Sequence, residues 1–199
     1  MGSDQLRERA NWQYGSGAKA TVAEKDFHAV FEVAFRGTPF RIRPKPREFR
    51  NIYTKVILAP EVVAEIYNPP CGIQRHGISP DYAIDNTVTG KTLYVEVKRQ
   101  DGWVEGGKRS DGRGNAHERS CKYFTPGLLE IMRSHGKLGH DVLPFWTVFL
   151  GDITRDPCRV REITLWYKGC QNHFFFWRNT KDEKPLLRHF DEKLKHLLV

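Results

Sequence analysis

A run of apolar and aromatic residues from Leu143 to Leu150 constrains the fold of this chain more than any other feature. Only Pro144 and Thr147 interrupt it. A strand that is buried on both faces has such a near-continuous apolar sequence, whereas a strand with one face in water alternates apolar and polar residues. We therefore predict a central strand with helices packed against both of its faces, which indicates an α/β protein.

Two other segments, Ile78–Asp85 and Lys91–Lys98, alternate apolar and polar residues. Alternation with a period of two is typical of half-buried strands. The residues between them, Asn86–Gly90, favour a turn, so we predict a β-hairpin with one face toward the core. The aromatic segment His173–Trp177 is expected to add a strand, and Lys55–Leu58 is a candidate short strand.

Helical spacing of apolar residues recurs on both sides of these strands. Prolines at first helical positions mark several helix starts, and the basic, proline-containing segment Phe40–Arg50 is expected to be an extended connection. The helices are predicted at Ala18–Phe35, Pro60–Tyr67, Thr125–Ser134, Asp156–Tyr167 and Lys184–Leu198. A chain of 199 residues is long enough for one sizeable core. We expect a single domain, residues 1–199, with a mixed central β-sheet and helices on both faces.

The chain is basic, with 32 Lys and Arg against 24 Asp and Glu and a formal net charge of +8. A positive balance favours a polyanion such as double-stranded DNA, although many basic proteins bind no nucleic acid. The four cysteines lack the spacing of a zinc site, and we expect them to be reduced. No apolar run approaches the roughly 20 residues of a membrane helix, and the polar segment Met1–Trp12 does not resemble a signal peptide. A cytoplasmic protein without a membrane partner is therefore expected.

The first motif with chemical meaning combines Pro80-Asp81 with Glu96-Val97-Lys98. Pairing within the predicted hairpin can bring Asp81 beside Glu96, and Lys98 shares a face with Glu96 because strand side chains alternate. Two carboxylates and the backbone carbonyl of Val97 are oxygen ligands that suit Mg²⁺. A lysine beside such a metal can orient or deprotonate water. Together these groups are suited to the hydrolysis of a phosphodiester. The alternative, a surface hairpin with solvated charges, is equally compatible with the spacing.

The second motif lies where a basic, glycine-rich loop meets a predicted helix. It consists of Arg113, Gly114, Asn115, Ala116, His117, Glu118 and Arg119. The unsatisfied N–H groups of a helix N-terminus attract phosphate, and arginine, asparagine and glutamate side chains can hydrogen-bond to base edges. We therefore consider these residues candidate DNA contacts. On the residues alone, a capped helix with solvated charges remains the more common explanation.

Around these motifs the chain resembles the type IIP restriction endonucleases of the PD-(D/E)xK superfamily, in the group that contains EcoRI and MunI. The resemblance extends over nearly the whole chain and is carried by several blocks in the same order. These are Ile78–Ile84, Glu96–Glu105, Gly112–Cys121, Thr125–Leu129, Leu143–Trp146, Gly151–Pro157 and Arg159–Thr164. The EcoRI branch has His at the position of Arg99 and Ile at that of His117, so the resemblance favours the MunI branch.

The resemblance implies a restriction-endonuclease-like core and a homodimer that cuts both strands of a palindrome with Mg²⁺, leaving 5′-phosphate ends. Asp81 and Glu96 match the metal-binding carboxylates, and Lys98 matches the catalytic lysine. Asn115–Arg119 match the segment that contacts an AATT core, and Arg113 matches a contact to the outer C·G pair. The implied site is CAATTG, cut after the first C. A cognate DNA methyltransferase is expected in the same system, without a stable complex.

Two alternatives stay open on the sequence. One is a repair or recombination nuclease of the same superfamily that recognises DNA structure instead of sequence. The other is a DNA-binding module without catalysis, against which the intact set of Asp81, Glu96 and Lys98 argues.

Overall fold

A computed structural model describes residues 26–106 and 117–199. Within these ranges one five-stranded sheet has the order β1-β2-β3-β4-β5. The strands are β1 (Phe40–Pro44), β2 (Tyr82–Asn86), β3 (Thr92–Arg99), β4 (Phe145–Leu150) and β5 (Phe174–Phe176). The first three strands pair antiparallel, whereas β3, β4 and β5 pair parallel. The sheet is therefore mixed, as predicted.

Strand β4 lies between β3 and β5, and all six of its residues are buried. Its side chains point alternately into two hydrophobic clusters, with Trp146 and Val148 in one and Phe145 and Phe149 in the other. The prediction of a central strand with two buried faces is confirmed.

Helices cover both faces of the sheet. They are α1 (helical over 26–34 of the described residues), α2 (Pro60–Glu65), α3 (Pro126–Gly136), α4 (Pro157–Trp166) and α5 (Lys184–His189). Phe27 and Phe31 of α1 pack on one face together with Leu186 of α5. Met132 of α3 and Ile163 of α4 pack on the other. The predicted α/β arrangement with helices on both faces is confirmed.

Prolines occupy the first positions of four helices, and an aspartate caps one of the four. Each of α2, α3, α4 and α5 has a proline in its first two positions, where the missing N–H costs no hydrogen bond. The Asp156 side chain caps α4 by accepting hydrogen bonds from the backbone N–H groups of Cys158 and Arg159. The C-terminal helix is less regular than predicted, because α5 continues as a π-helical turn (Phe190–Leu194) and a 3₁₀ turn (Lys195–Leu197).

Three sequence-based expectations were wrong. The segment expected to be an extended connection contains β1, which pairs with β2 in the register Ile42↔Ile84. Lys55–Leu58 forms no strand. The hairpin has no solvated face, since every residue of β2 and the first six of β3 are buried. Polar residues of the hairpin are buried because ion pairs and hydrogen bonds satisfy them, as Arg41, Arg43 and Thr92 do for Asp85. Residues 18–25 of the first predicted helix lie outside the described residues.

In the part of the chain that the structure describes, no helix has the length and apolar character needed to cross a membrane.

Candidate active site

The hairpin brings the two predicted carboxylates together. Tyr82, at the start of β2, pairs with Val95 of β3, so Asp81 and Glu96 occupy the next opposed positions. Both residues are buried, with 6% of their surface exposed. Burying two carboxylates side by side is costly unless cations or hydrogen bonds compensate them.

Lys98 and the backbone of Val97 supply part of that compensation. The Lys98 ammonium forms an ion pair with Glu96 and lies 3.8 Å from Oδ2 of Asp81. The backbone N–H of Val97 donates a hydrogen bond to the same Asp81 oxygen at 2.9 Å. The structure therefore gathers the three side chains and the Val97 backbone at one place, as the spacing suggested.

Two further residues of the site were missed by the sequence analysis. The Lys45 ammonium lies 2.6 Å from Oδ1 of Asp81. The Tyr123 hydroxyl donates a hydrogen bond to Oε2 of Glu96 at 3.0 Å. These contacts join residues 36 and 27 positions apart, so no local spacing indicated them. The only sequence signal was the basic character of the segment that contains Lys45, which is not specific.

The electrostatics of the site leave room for more positive charge. Burial raises the pKa of Glu96 above its usual value, and the Asp81 charge adds to that shift while Lys98 opposes it. Burial and the nearby Glu96 raise the pKa of Tyr123, so its hydroxyl remains a neutral donor. Glu96 is thus held in a place where its negative charge is not fully compensated by the protein.

The donor set fits a hard divalent cation. Two carboxylates and the Val97 carbonyl are oxygen donors, and Mg²⁺ is usually bound by one or two carboxylates with water completing its shell. Within residues 26–106 and 117–199 there is no cluster of three or more His, Cys, Asp or Glu side chains that could hold a metal.

The candidate DNA-contacting segment is described only from His117 onward, and Arg113, Gly114, Asn115 and Ala116 lie outside the described residues. Glu118 and Arg119 are exposed at the start of a 3₁₀ turn, Glu118–Phe124. Tyr123, near the end of the same turn, contacts Glu96. The turn therefore joins the candidate DNA contacts directly to the candidate metal site.

His117 is fully buried and contacts other protein groups. Its Nδ1 lies 3.0 Å from the side-chain oxygen of Gln100, just after β3, and its ring stacks on Trp166 of α4 at 5.2 Å. Its Nε2 lies 3.0 Å from Arg159 and 3.3 Å from Glu162. Burial and the Arg159 charge lower the pKa of His117, which favours the neutral ring. The His117 side chain thus anchors the segment to β3 and α4 in the protein without DNA.

Comparison with known proteins agrees with this geometry. A family model described as type II restriction enzyme MunI matches residues 1–199. The type II restriction enzyme MunI of a Mycoplasma species is 51% identical over 201 residues, with all of both chains covered. The crystal structure of MunI restriction endonuclease in complex with cognate DNA is similar at a TM-score of 0.80 and 50% identity, covering 95% of this chain and 98% of that one. The chain therefore belongs to the MunI family of type II restriction enzymes, which are endonucleases that act on DNA.

Proposed function

We propose that the chain is a Mg²⁺-dependent endonuclease that cuts both strands of CAATTG after the first C and leaves AATT overhangs with 5′-phosphates. The observation that carries the chemical part of this proposal is the convergence of Asp81, Glu96 and Lys98. The Lys98 ammonium pairs with Glu96 and lies 3.8 Å from Asp81, at the end of a hairpin that buries both carboxylates.

In this proposal Asp81, Glu96 and the Val97 carbonyl hold the cation. Mg²⁺ supplies positive charge to the phosphodiester and makes a neighbouring water more acidic. The Val97 N–H fixes the orientation of the Asp81 carboxylate, and the Tyr123 hydroxyl does the same for Glu96. Lys98 is the catalytic lysine: its ammonium, 18% exposed and beside both carboxylates, orients the attacking water and offers a proton to a developing negative charge.

Sequence recognition is assigned to Arg113, Gly114, Asn115, Ala116, His117, Glu118 and Arg119. The support is the family match, the cognate DNA bound by the similar MunI structure, and the exposure of Glu118 and Arg119. Arginine and asparagine form bidentate contacts with guanine and adenine, which suits an AATT core flanked by C·G pairs. Because the His117 ring is buried, its contribution is to hold this segment in place.

A palindrome is read most simply by two copies related by a two-fold axis, so the enzyme acts as a homodimer. Each protomer is one domain, residues 1–199, that carries both the nuclease site and the DNA contacts. The enzyme works in the cytoplasm, where a DNA methyltransferase of the same system protects the host site without forming a stable complex.

Mapping the cut ends on DNA of known sequence tests activity, site and overhang together. Purified enzyme with Mg²⁺ is incubated with a plasmid that contains one CAATTG, and matched plasmids carry GAATTC or a scrambled site instead. We expect one cut in the first plasmid, with ends that ligate only to AATT overhangs, and none when EDTA replaces Mg²⁺. An intact CAATTG plasmid to which the protein is bound would refute the proposal. Cleavage of branched duplexes regardless of sequence would favour a structure-specific nuclease instead.

A further inference from the structure

Lys45 has an unusual backbone conformation at the edge of the candidate active site. It follows β1 directly and lies between Pro44 and Pro46. Its φ is +46°, a value that residues with a side chain rarely adopt. In the described part of the chain only Lys137 is comparable, and that residue caps the C-terminus of α3, where this conformation is common. Strained backbone of this kind concentrates at functional sites.

In this conformation the backbone N–H and the side-chain ammonium of Lys45 both contact Asp81. The backbone N–H of Lys45 donates to the Asp81 carbonyl at 2.9 Å. Its ammonium lies 2.6 Å from Oδ1 of the Asp81 side chain. The side chain is 52% exposed, whereas that of Asp81 is 8% exposed, so the ammonium approaches a buried carboxylate from the solvent side.

The two oxygens of Asp81 have different partners. Oδ2 accepts from the Val97 N–H at 2.9 Å and lies 3.8 Å from Lys98, and both of these partners belong to β3, which is buried through Val97. Oδ1 is contacted by Lys45, whose long side chain is half-exposed. A cation that uses Asp81 as a ligand therefore meets Lys45 as its competitor at Oδ1.

We propose that Lys45 competes with the divalent cation for Asp81, so that its ammonium lowers the affinity of the DNA-free enzyme for metal. The proposal rests on the assignment of Asp81 as a metal ligand made above. Removal of Lys45 leaves the charge of Asp81 without its partner at Oδ1, and a cation then binds without displacing an ammonium.

The test measures binding of Mn²⁺ to the DNA-free protein, with free Mn²⁺ followed by electron paramagnetic resonance. An ion pair whose ammonium is half-exposed contributes modestly, so K45M is expected to bind Mn²⁺ roughly three- to tenfold more tightly than the wild type. K45R keeps the positive charge and is expected to stay within about twofold of the wild type. Unchanged or weaker Mn²⁺ binding by K45M would overturn the proposal.

Arg41 offers a matched control for the loss of one positive charge. It lies on β1, close in sequence to Lys45, but it pairs with Asp85 at 3.0 Å and not with Asp81. R41M changes the net charge as K45M does and is expected to leave Mn²⁺ affinity within about twofold of the wild type. An equal gain in R41M and K45M would show that net charge alone is responsible, and the proposal would be wrong.

A D81A variant separates failure of this proposal from failure of the proposed function. If D81A binds Mn²⁺ as well as the wild type does, Asp81 is not a metal ligand and the assignment of the site falls, together with this inference. If D81A loses Mn²⁺ binding while K45M matches the wild type, the metal site stands and only the competition by Lys45 is rejected.

Discussion

The hairpin carries two buried carboxylate clusters that differ in their cations. At one end, Asp85 accepts hydrogen bonds from Arg43 at 2.6 Å, Arg41 at 3.0 Å and the Thr92 hydroxyl at 2.8 Å. At the other end, Asp81 and Glu96 are paired with the ammonium groups of lysines. A guanidinium holds a carboxylate through several donors in a fixed plane, whereas an ammonium is a mobile point charge.

The pKa shifts of the two clusters go in opposite directions. Burial opposes ionisation of Asp85, but the hydrogen bonds from Arg43 and Thr92 outweigh it and hold the pKa of that carboxyl below its usual value. Burial also opposes ionisation of Glu96, and there the pKa is raised despite Lys98. The protein thus stabilises the Asp85 carboxylate as an anion, whereas burial of Glu96 outweighs the effect of its lysine partner. This difference separates a structural ion cluster from one suited to a divalent cation.

The largest effect is expected for D81A. Loss of this proposed metal ligand should reduce cleavage of the proposed CAATTG site by roughly 1,000-fold or more, because several kcal/mol of charge stabilisation would be lost. Specific binding should persist with less dependence on metal, since one carboxylate that repels the phosphate has been removed. Cleavage is measured in single-turnover experiments, and binding by gel shift with EDTA. Cleavage at the wild-type rate would show that Asp81 is not a ligand.

D85A, at the other end of the hairpin, is expected to lower stability and leave cleavage nearly unchanged. The change removes the acceptor of the hydrogen bonds from Arg41, Arg43 and Thr92, and should lower the free energy of unfolding by about 3 kcal/mol. Cleavage per folded molecule should change little, because the partners of Asp85 are Arg41, Arg43 and Thr92, which lie outside the proposed metal site. Urea unfolding and active-site titration measure the two quantities. A stable D85A protein that has lost cleavage would contradict the distinction between the clusters.

His173 tests whether carboxyl groups alone account for the loss of folding stability at low pH. Burial lowers the pKa of His173 from 6.5 to about 4, while its Nδ1 contacts the Phe145 carbonyl at 3.0 Å. The unfolded chain takes up this proton at higher pH than the folded chain, so stability is lost as the pH falls from 6.5 toward 4. At pH 4.5 the loss should be about 2.5 kcal/mol relative to pH 7.

The control for this prediction is H173N, whose amide keeps a donor near the Phe145 carbonyl but does not titrate. Urea unfolding at pH 7 and pH 4.5 should show a smaller loss for H173N than for the wild type. Because the pKa of Asp85 is depressed, its contribution is lost only below the usual range of a carboxyl, at lower pH than that of His173. Equal losses in both proteins would assign the acid sensitivity to other groups.

The smallest effect is expected for Y123F. This change removes the hydrogen bond to Glu96, which should cost about 1 kcal/mol, or roughly fivefold in cleavage rate. Y94F is a matched control, because the buried hydroxyl of Tyr94 has no hydrogen-bond partner among the described residues. Single-turnover cleavage at several Mg²⁺ concentrations measures both variants. If Y94F slowed cleavage as much as Y123F, the contact with Glu96 would not be the cause.

The sequence predicted those parts of the molecule whose signals are local. The apolar run around Phe149 indicated the central strand, and the hairpin spacing placed Glu96 opposite Asp81. Strand β1 was missed because its pairing with β2 joins residues far apart in the chain, such as Arg41 and Asp85, which are 44 positions apart. Lys45 and Tyr123 were missed for the same reason, since neither has a spacing relation to the carboxylate that it contacts.

The Asp85 cluster has a consequence for how the hairpin tolerates change in length. Asp85 accepts a hydrogen bond from Thr92, directly across the hairpin, and forms ion pairs with Arg41 and Arg43 of β1. These contacts lie in the strands, so they fix the alignment of the strands independently of the turn. Residues added within 87–91 would therefore extend the loop without shifting Asp81 relative to Glu96. Deletion of one residue from β3 between Leu93 and Val95 would instead turn Glu96 to the opposite face. We therefore expect related proteins to differ in the length of this turn and not in the length of β3.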